Sequence, residues 1–159
     1  MRRLQKTIFE IGWTRTVPRL AETDPVATAF DLMSRESHDC VLIARGERLV
    51  GIFTSRDFLN RVAAVRADPR KVTLAEVMTS MPKSLRPRDS VAFAINWMAV
   101  EGFRNVPIVD DEGNPQGVLT VFDVMRALSA ILDEIAETPP ENLREVSSIS
   151  SIFDIGGGS

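Results

Sequence analysis

An α/β (α+β) fold made of two β-α-β-β-α repeats packed about a pseudo-twofold axis is predicted by three observations. The first is a repeated string. Gly51-Ile52-Phe53-Thr54-Ser55-Arg56-Asp57 and Gly117-Val118-Leu119-Thr120-Val121-Phe122-Asp123 share Gly, two apolar residues, Thr, two variable residues and Asp, 66 positions apart. The second is the reach of the likeness upstream. Val41-Leu42-Ile43 falls on Pro107-Ile108-Val109, and Asp24-Pro25-Val26-Ala27 falls on Asp89-Ser90-Val91-Ala92 at an offset of 65, one inserted residue near Gly102 accounting for the slip. The third is size: an interval this long suits a duplicated supersecondary unit rather than a solenoid repeat, and half of a 159-residue chain is too small to bury much by itself. The copies are therefore expected to share a core and to leave clefts where they meet.

In the first copy a short lead-in strand is expected at residues 17–20. Val26, Ala29, Phe30 and Met33 then recur at helical spacing, with Asp24 placed as N-cap and Pro25 at the first helical position. Residues 40–44 read as a short buried strand, Arg45-Gly46-Glu47 as a turn, 49–54 as the returning strand and 56–64 as a second helix. The second copy repeats this order: a lead-in at 83–86, a helix at 90–101, strands at 106–109 and 117–120 about an acidic turn, and a helix at 122–136. Residues 74–78 read as a short helix entering it.

The expected organisation is a lead-in over residues 1–12, repeat one over 13–66, a polar linker broken by Pro69 over 67–73, repeat two over 74–136 and a partly mobile tail over 137–159. Pro139-Pro140 ends the last helix. Inside the tail, Ile149, Ile152, Phe153 and Ile155 form an apolar cluster that needs a docking surface, on its own domain, a second subunit or an effector.

A net charge of −3 supplies no broad basic field, so nucleic acid is not expected as a partner. No apolar run reaches the length of a signal peptide or a membrane span, and a cytoplasmic protein with no membrane partner is expected. The single Cys40 lies in an apolar strand and reads as a small buried hydrophobe. With one histidine, His38, and one cysteine, no transition-metal site is expected. Nothing near His38 supplies a nucleophile and an orienting group, so enzyme activity is not expected. The Asp110-Asp111-Glu112 turn reads as solvated rather than as a cation site.

The Thr54-x-x-Asp57 and Thr120-x-x-Asp123 motifs admit two readings. Thr at an N-cap with an acidic residue three positions on is a local capping arrangement and needs no ligand. In a cleft, however, an Asp at a helix start suits the two hydroxyls of a ribose. The adjacent Thr hydroxyl and the helix N–H groups suit a phosphate. The apolar strand with Val106-Pro107-Ile108 would then line a slot for a flat base.

These residues resemble the cystathionine-β-synthase (CBS) domain pair, the tandem Bateman module. The likeness rests on Asp89-Ser90-Val91 through Met98, on Val106-Pro107-Ile108-Val109-Asp110 and on Gly117-Val118-Leu119-Thr120-x-x-Asp123, with a looser copy spanning Val17 to about Val65; the first copy has Val41 in place of the strand proline and Ala44 in place of Asp110. The resemblance implies a regulatory module that senses an adenine nucleotide (AMP, ADP or ATP) or S-adenosylmethionine and signals to an unidentified effector protein, as a homodimer. The nucleotide would be a regulatory ligand, and no cofactor is implied. It implies further that Asp57 and Asp123 hold ribose, that Thr54 and Thr120 hold phosphate, that Thr79 and Ser84, with Thr14 and Arg19 of the first copy, lie near the base, for which Pro107 lines the slot, and that Arg104 and His38 stand on the strand approach to the cleft. Arg104 would favour the second-copy cleft. Asp39, placed at the equivalent of Asn105, would repel a phosphate from the first and leave His38 as its only cation. The rival expectation is a structural dimerisation module with no small-molecule ligand, in which both motifs are only caps.

Overall fold

The computed structural model describes residues 6–136; the tail cluster of Ile149, Ile152, Phe153 and Ile155 lies outside them. The elements are β1 (Arg19–Ala21), α1 (Val26–Glu36), β2 (Cys40–Arg45), β3 (Arg48–Thr54), α2 (Ser55–Asp57) continued by a π-helical stretch (Phe58–Ala63), α3 (Leu74–Val77), β4 (Thr79–Ser80), α4 (Val91–Val100), β5 (Asn105–Val109), β6 (Pro115–Thr120) and α5 (Val121–Ala136). Residues up to Met125 form one compact unit, and those from Arg126 on belong to a second.

Two antiparallel hairpins carry the repeat. In the first sheet the order is β1-β2-β3-β4, with β1 parallel to β2 and both other pairs antiparallel. The second sheet pairs β5 with β6. The expected lead-in strand at 83–86 is reduced to one parallel bridge, Leu85 to Ile108, the counterpart of Leu20 beside Ile43.

β2 reads as an unbroken apolar run because both its faces are buried. Val41 and Ile43 face a core with Val26, Ala29 and Met33 of α1, Phe53 of β3, Val62, and Leu74 and Val77 of α3. Cys40 and Leu42 face the other way, against Ile52 and Val118 of the second hairpin. That second cluster joins the repeats.

The ladder register corrects the alignment read from sequence. Cys40 lies opposite Thr54 and Leu42 opposite Ile52, whereas Asn105 lies opposite Thr120 and Pro107 opposite Val118. Pro107 therefore corresponds to Leu42, not to Val41. The extra residue sits in the second hairpin turn, not near Gly102: Ile43 pairs with Gly51 and Ile108 with Gly117, eight and nine positions on. In that longer turn Asp110 accepts hydrogen bonds from the N–H groups of Glu112 and Asn114 and from the Asn114 amide, which holds its carboxyl below the usual carboxylate range. Asp111 pairs with Arg86 and Arg88.

The segments that precede the repeats cross over. Val26 and Ala27 at the start of α1 donate to the carbonyls of Val72 and Pro69, Leu74 donates to Asp24 O, and β4 pairs with β3 of the first repeat. At the second repeat the bonds recur with the chain's first described residues: Val91 donates to Lys6 O, Ile8 to Asp89 O and Phe9 to Pro87 O. Trp13 Nε1 donates to Val118 O at 2.8 Å, and Val118 N donates to Arg15 O. Each repeat is thus completed by the segment leading into the other.

This arrangement revises two local expectations. Linker carbonyls cap α1, so Pro25, not Asp24, occupies the N-cap position, and the Asp24 carboxylate accepts from Ala21 N at 2.8 Å. The helix expected at 56–64 starts at Ser55 and widens to π turns over Phe58–Ala63.

Candidate functional site between the hairpins

Strands β3 and β6, which carry Gly51 and Gly117 in their interiors, each end on the motif threonine at the mouth of a helix. Thr54 N and Oγ1 donate to Asp57 Oδ2 at 3.0 and 2.9 Å, while Asp57 N donates back to Thr54 Oγ1 at 3.2 Å. Thr120 and Asp123 reproduce the set at 2.8, 2.6 and 3.2 Å. Both motifs are therefore capping boxes. Asp57 Oδ1 stands 3.6 Å from Arg61, whose guanidinium is held by the carbonyls of Val77 and Met78 at the end of α3. Asp123 Oδ2 lies 3.8 Å from Arg15 Nε.

The two motifs open on unequal cavities. The larger, of about 510 Å³, takes Thr54, Ser55, Arg56 and Asp57 from the first repeat, Thr79, Met81, Pro82 and Lys83 from the segment that crosses beneath it, and Phe103, Arg104, Asn105 and Pro107 from the second repeat. The smaller, of about 290 Å³, takes Thr120, Val121 and Phe122 from the second repeat, Arg15 and Val17 from the other crossing segment, and His38, Asp39 and Cys40 from the first. Asp39, Arg104 and Asn105 line both.

Five of the residues expected at a site meet in the larger cavity: Thr54, Asp57, Thr79, Arg104 and Pro107. Thr120 and His38 line the smaller one, with Arg104 again. Asp123 lines neither. Ser84 lies in a third cavity, among Arg86, Asp89 and the 110–113 turn, and Thr14 and Arg19 line none of the three. Arg104 was expected beside Thr120 and Asp123 alone; it also lines the cavity of Thr54 and Asp57, because each of these two cavities is bounded by both repeats and one crossing segment.

The sequence reading overlooked Arg56 and Lys83, two cations on the wall of the larger cavity. Arg56 sat unremarked inside the repeated string as a variable residue. Lys83 had no signal beyond its charge; its ammonium lies 5.4 and 5.9 Å from the Trp97 and Phe103 ring centroids and pairs with Glu101. The larger cavity thus offers three cations, two carboxylates, hydroxyls at a helix start and an apolar wall of Ile52, Leu59, Met81 and Phe103. An organic anion with a flat apolar part fits that inventory.

Burial, reinforced by the neighbouring Asp39 charge, pushes the Cys40 thiol up to about 12. It is packing, not a nucleophile. Among the described residues, no group of three or more His, Cys, Asp or Glu side chains could hold a metal ion, and no helix is long and apolar enough to cross a membrane.

The comparisons agree with this architecture. A CBS domain family model matches residues 14–64 and 74–130. The chain is 32% identical over 114 residues to CBS domain-containing protein CBSCBSPB1 of Arabidopsis thaliana, a match covering 72% of the chain and 21% of that relative. The chain thus spans about a fifth of the length of this relative and of CBSCBSPB3, also of Arabidopsis thaliana. Among solved structures, CBS domain protein PAE2072 from Pyrobaculum aerophilum, complexed with AMP, superposes with a TM-score of 0.70 at 25% identity, over 83% of this chain and 99% of that one. The CBS domain pair of protein MJ0100, in complex with 5′-methylthioadenosine and S-adenosyl-L-methionine, does so with a TM-score of 0.67 at 22% identity, over 77% and 99%. CBS domain pairs are regulatory modules rather than a catalytic family. By fold, repeat and motif, the chain belongs to the CBS domain family.

Proposed function

We propose that the protein is a regulatory module that binds an adenine nucleotide in the larger cavity and passes its occupancy to a partner protein. The observation that carries this reading is the meeting of Thr54 and Asp57, at a helix start, with Arg56, Lys83 and Arg104 in one cavity of about 510 Å³. Phosphate would lie on the cations and on the Arg56 N–H at the start of α2, with the Thr54 hydroxyl turning from Asp57 to donate to it, since the Ser55 and Asp57 N–H groups are held by Asp39 O and Thr54 Oγ1. Ribose would meet Asp57 Oδ1, since Oδ2 is committed to the cap. The base would lie against Ile52, Met81 and Pro107. The AMP complex of PAE2072 supports the ligand class. The S-adenosylmethionine complex of MJ0100 names the competing ligand, which the three cations disfavour because it carries a positive sulfonium.

A ligand can shift the angle between repeats or subunits only by its difference in affinity for the two arrangements. Homodimerisation accompanies this reading, supported by the exposed apolar side chains Phe30 and Leu59 of the first repeat and Phe93 and Val100 of α4. A cytoplasmic location, where adenine nucleotides abound, is part of the same proposal.

One observation favours a second reading, a dimerisation module without a ligand: both motif aspartates cap their own helices. Thermal unfolding with AMP, ATP and S-adenosylmethionine separates the two. A nucleotide at 100 times its dissociation constant adds about 2.7 kcal/mol of stability. Asp57→Asn, which keeps an acceptor for the cap, should lose that gain. No shift with any of the three compounds rejects the sensor.

A further inference from the structure

The two cavities meet at one wall, and that wall holds opposite charges at equivalent places. Ser55 N donates to Asp39 O at 3.1 Å at the entrance of the first motif, and Val121 N donates to Arg104 O at 2.9 Å at the entrance of the second. Asp39 and Arg104 are therefore structural counterparts, and both line both cavities. The Asp39 carboxylate is fixed by Ser55 Oγ and by Asn105 Nδ2. The Arg104 guanidinium makes no hydrogen bond or ion pair among the described residues. It is exposed and can turn to either side.

The remaining cations are unevenly shared. The larger cavity has Arg56 besides Arg104, and Lys83, which is paired with Glu101. The smaller has one, Arg15, already 3.8 Å from the Asp123 carboxylate, with the His38 imidazole beside it 3.3 Å from Glu36. An anion there depends on Arg104 to offset Asp39.

We propose that Arg104 is a single shared anchor that makes the two cavities compete for anionic ligands: an anion in the larger cavity draws the guanidinium to its side and disarms the smaller. The module then holds one tightly bound anion per chain, and the smaller cavity reads whether the larger is empty. This rests on the nucleotide reading for the identity of the ligand but not for the competition, which requires only negative charge.

Calorimetric titration tests it with two probes, AMP and inorganic tripolyphosphate, the latter having no adenosine. The wild type should bind one equivalent per chain, with a second at least about tenfold weaker, a coupling of ordinary size. Thr79→Trp obstructs the larger cavity, which Thr79 lines and the smaller does not share, and should remove its anion; the remaining tripolyphosphate event should be about fivefold or more tighter than the wild type's second event, because Arg104 is released. Arg104→Gln, an exposed and foldable change, should weaken the first event and abolish the second. Two equal equivalents in the wild type, an unaltered second affinity in Thr79→Trp, or no effect of Arg104→Gln overturns the shared anchor. If tripolyphosphate follows the pattern and AMP does not bind, the adenine reading falls and the competition stands. If neither probe binds, both fall.

Discussion

Asn105 Nδ2 donates to Asp39 Oδ2 at 3.2 Å, a bond across the pseudo-twofold axis between two residues 66 positions apart. It joins the approach to the first motif to the first residue of β5. Because the Asp39 carboxylate lines both cavities, it opposes any anion placed in either. Asp39→Asn keeps one acceptor, for Asn105 Nδ2, and turns its amide N–H groups towards the Ser55 hydroxyl, which can accept, while removing the charge. AMP affinity by calorimetry should rise about threefold to tenfold, and an unchanged or weaker affinity would show that the charge is not felt in the site.

The capping boxes have their own energetics. Thr54→Val removes the hydroxyl that donates to Asp57 and accepts from Asp57 N. The expected loss is about 1 kcal/mol, a Tm lowered by roughly 2–4 °C for a chain of this size. The test is differential scanning calorimetry without ligand; a Tm within error of the wild type would mean that the hydroxyl contributes nothing to the helix start.

The glycines that lead the two motifs are not equally replaceable. A Cβ on Gly117 would lie 2.0 Å from the Arg15 carbonyl oxygen, backbone that cannot step aside. On Gly51 the first obstacle, at 2.3 Å, is the flexible Met78 thioether. Gly117→Ala should therefore destabilise by about 2 kcal/mol or more and Gly51→Ala by less. Urea denaturation of both variants ranks them, and the reverse order would contradict the crossing of residues 13–15 over β6.

Cys40 sets a pH dependence with a definite sign. Its thiol ionises near 9.0 unfolded but is pushed up to about 12 when folded, first by burial and then by Asp39. The unfolded state thus sheds this proton first as pH rises. The contribution of Cys40 to stability is present below about pH 9 and declines through the window up to about 12. Cys40→Ala, compared with wild type by denaturation at pH 8 and pH 10.5, should flatten part of that decline. A thiol that reacts with Ellman's reagent in the folded protein at pH 8 as fast as in urea would refute its burial.

Much of the architecture was legible because it lies in local periodicity. The two hairpins, α1 and α4 announce themselves by apolar runs and helical spacing, and the interval from Gly51 to Gly117 announces the duplication. Register was not legible. Val41 and Leu42 are both apolar and both buried, so nothing in their chemistry decides which one matches Pro107, and a one-residue slip went to the wrong loop. β4 escaped because Thr79-Ser80 is short, polar and exposed. Its pairing is dictated by the sheet edge it completes. A further repeat did leave a signal that went unread: Thr7-x-x-Glu10 and Thr73-x-x-Glu76 stand 66 positions apart, and both glutamates accept from their threonines. Of the candidate site, the motif residues were legible as chemistry, but the cavity each enters was not, because the exchange of leading segments is a long-range event.

That exchange makes the duplication mutually dependent. A nick in the chain between Ala64 and Pro69 would leave two fragments clasped by the bonds from Val26 to Val72 O and from Val91 to Lys6 O and by the buried Leu74 and Ile8. Neither fragment could close its own half without the other's borrowed strand. Inherited change in one leading segment is therefore felt first in the opposite lobe, and the two lobes must drift together or come apart.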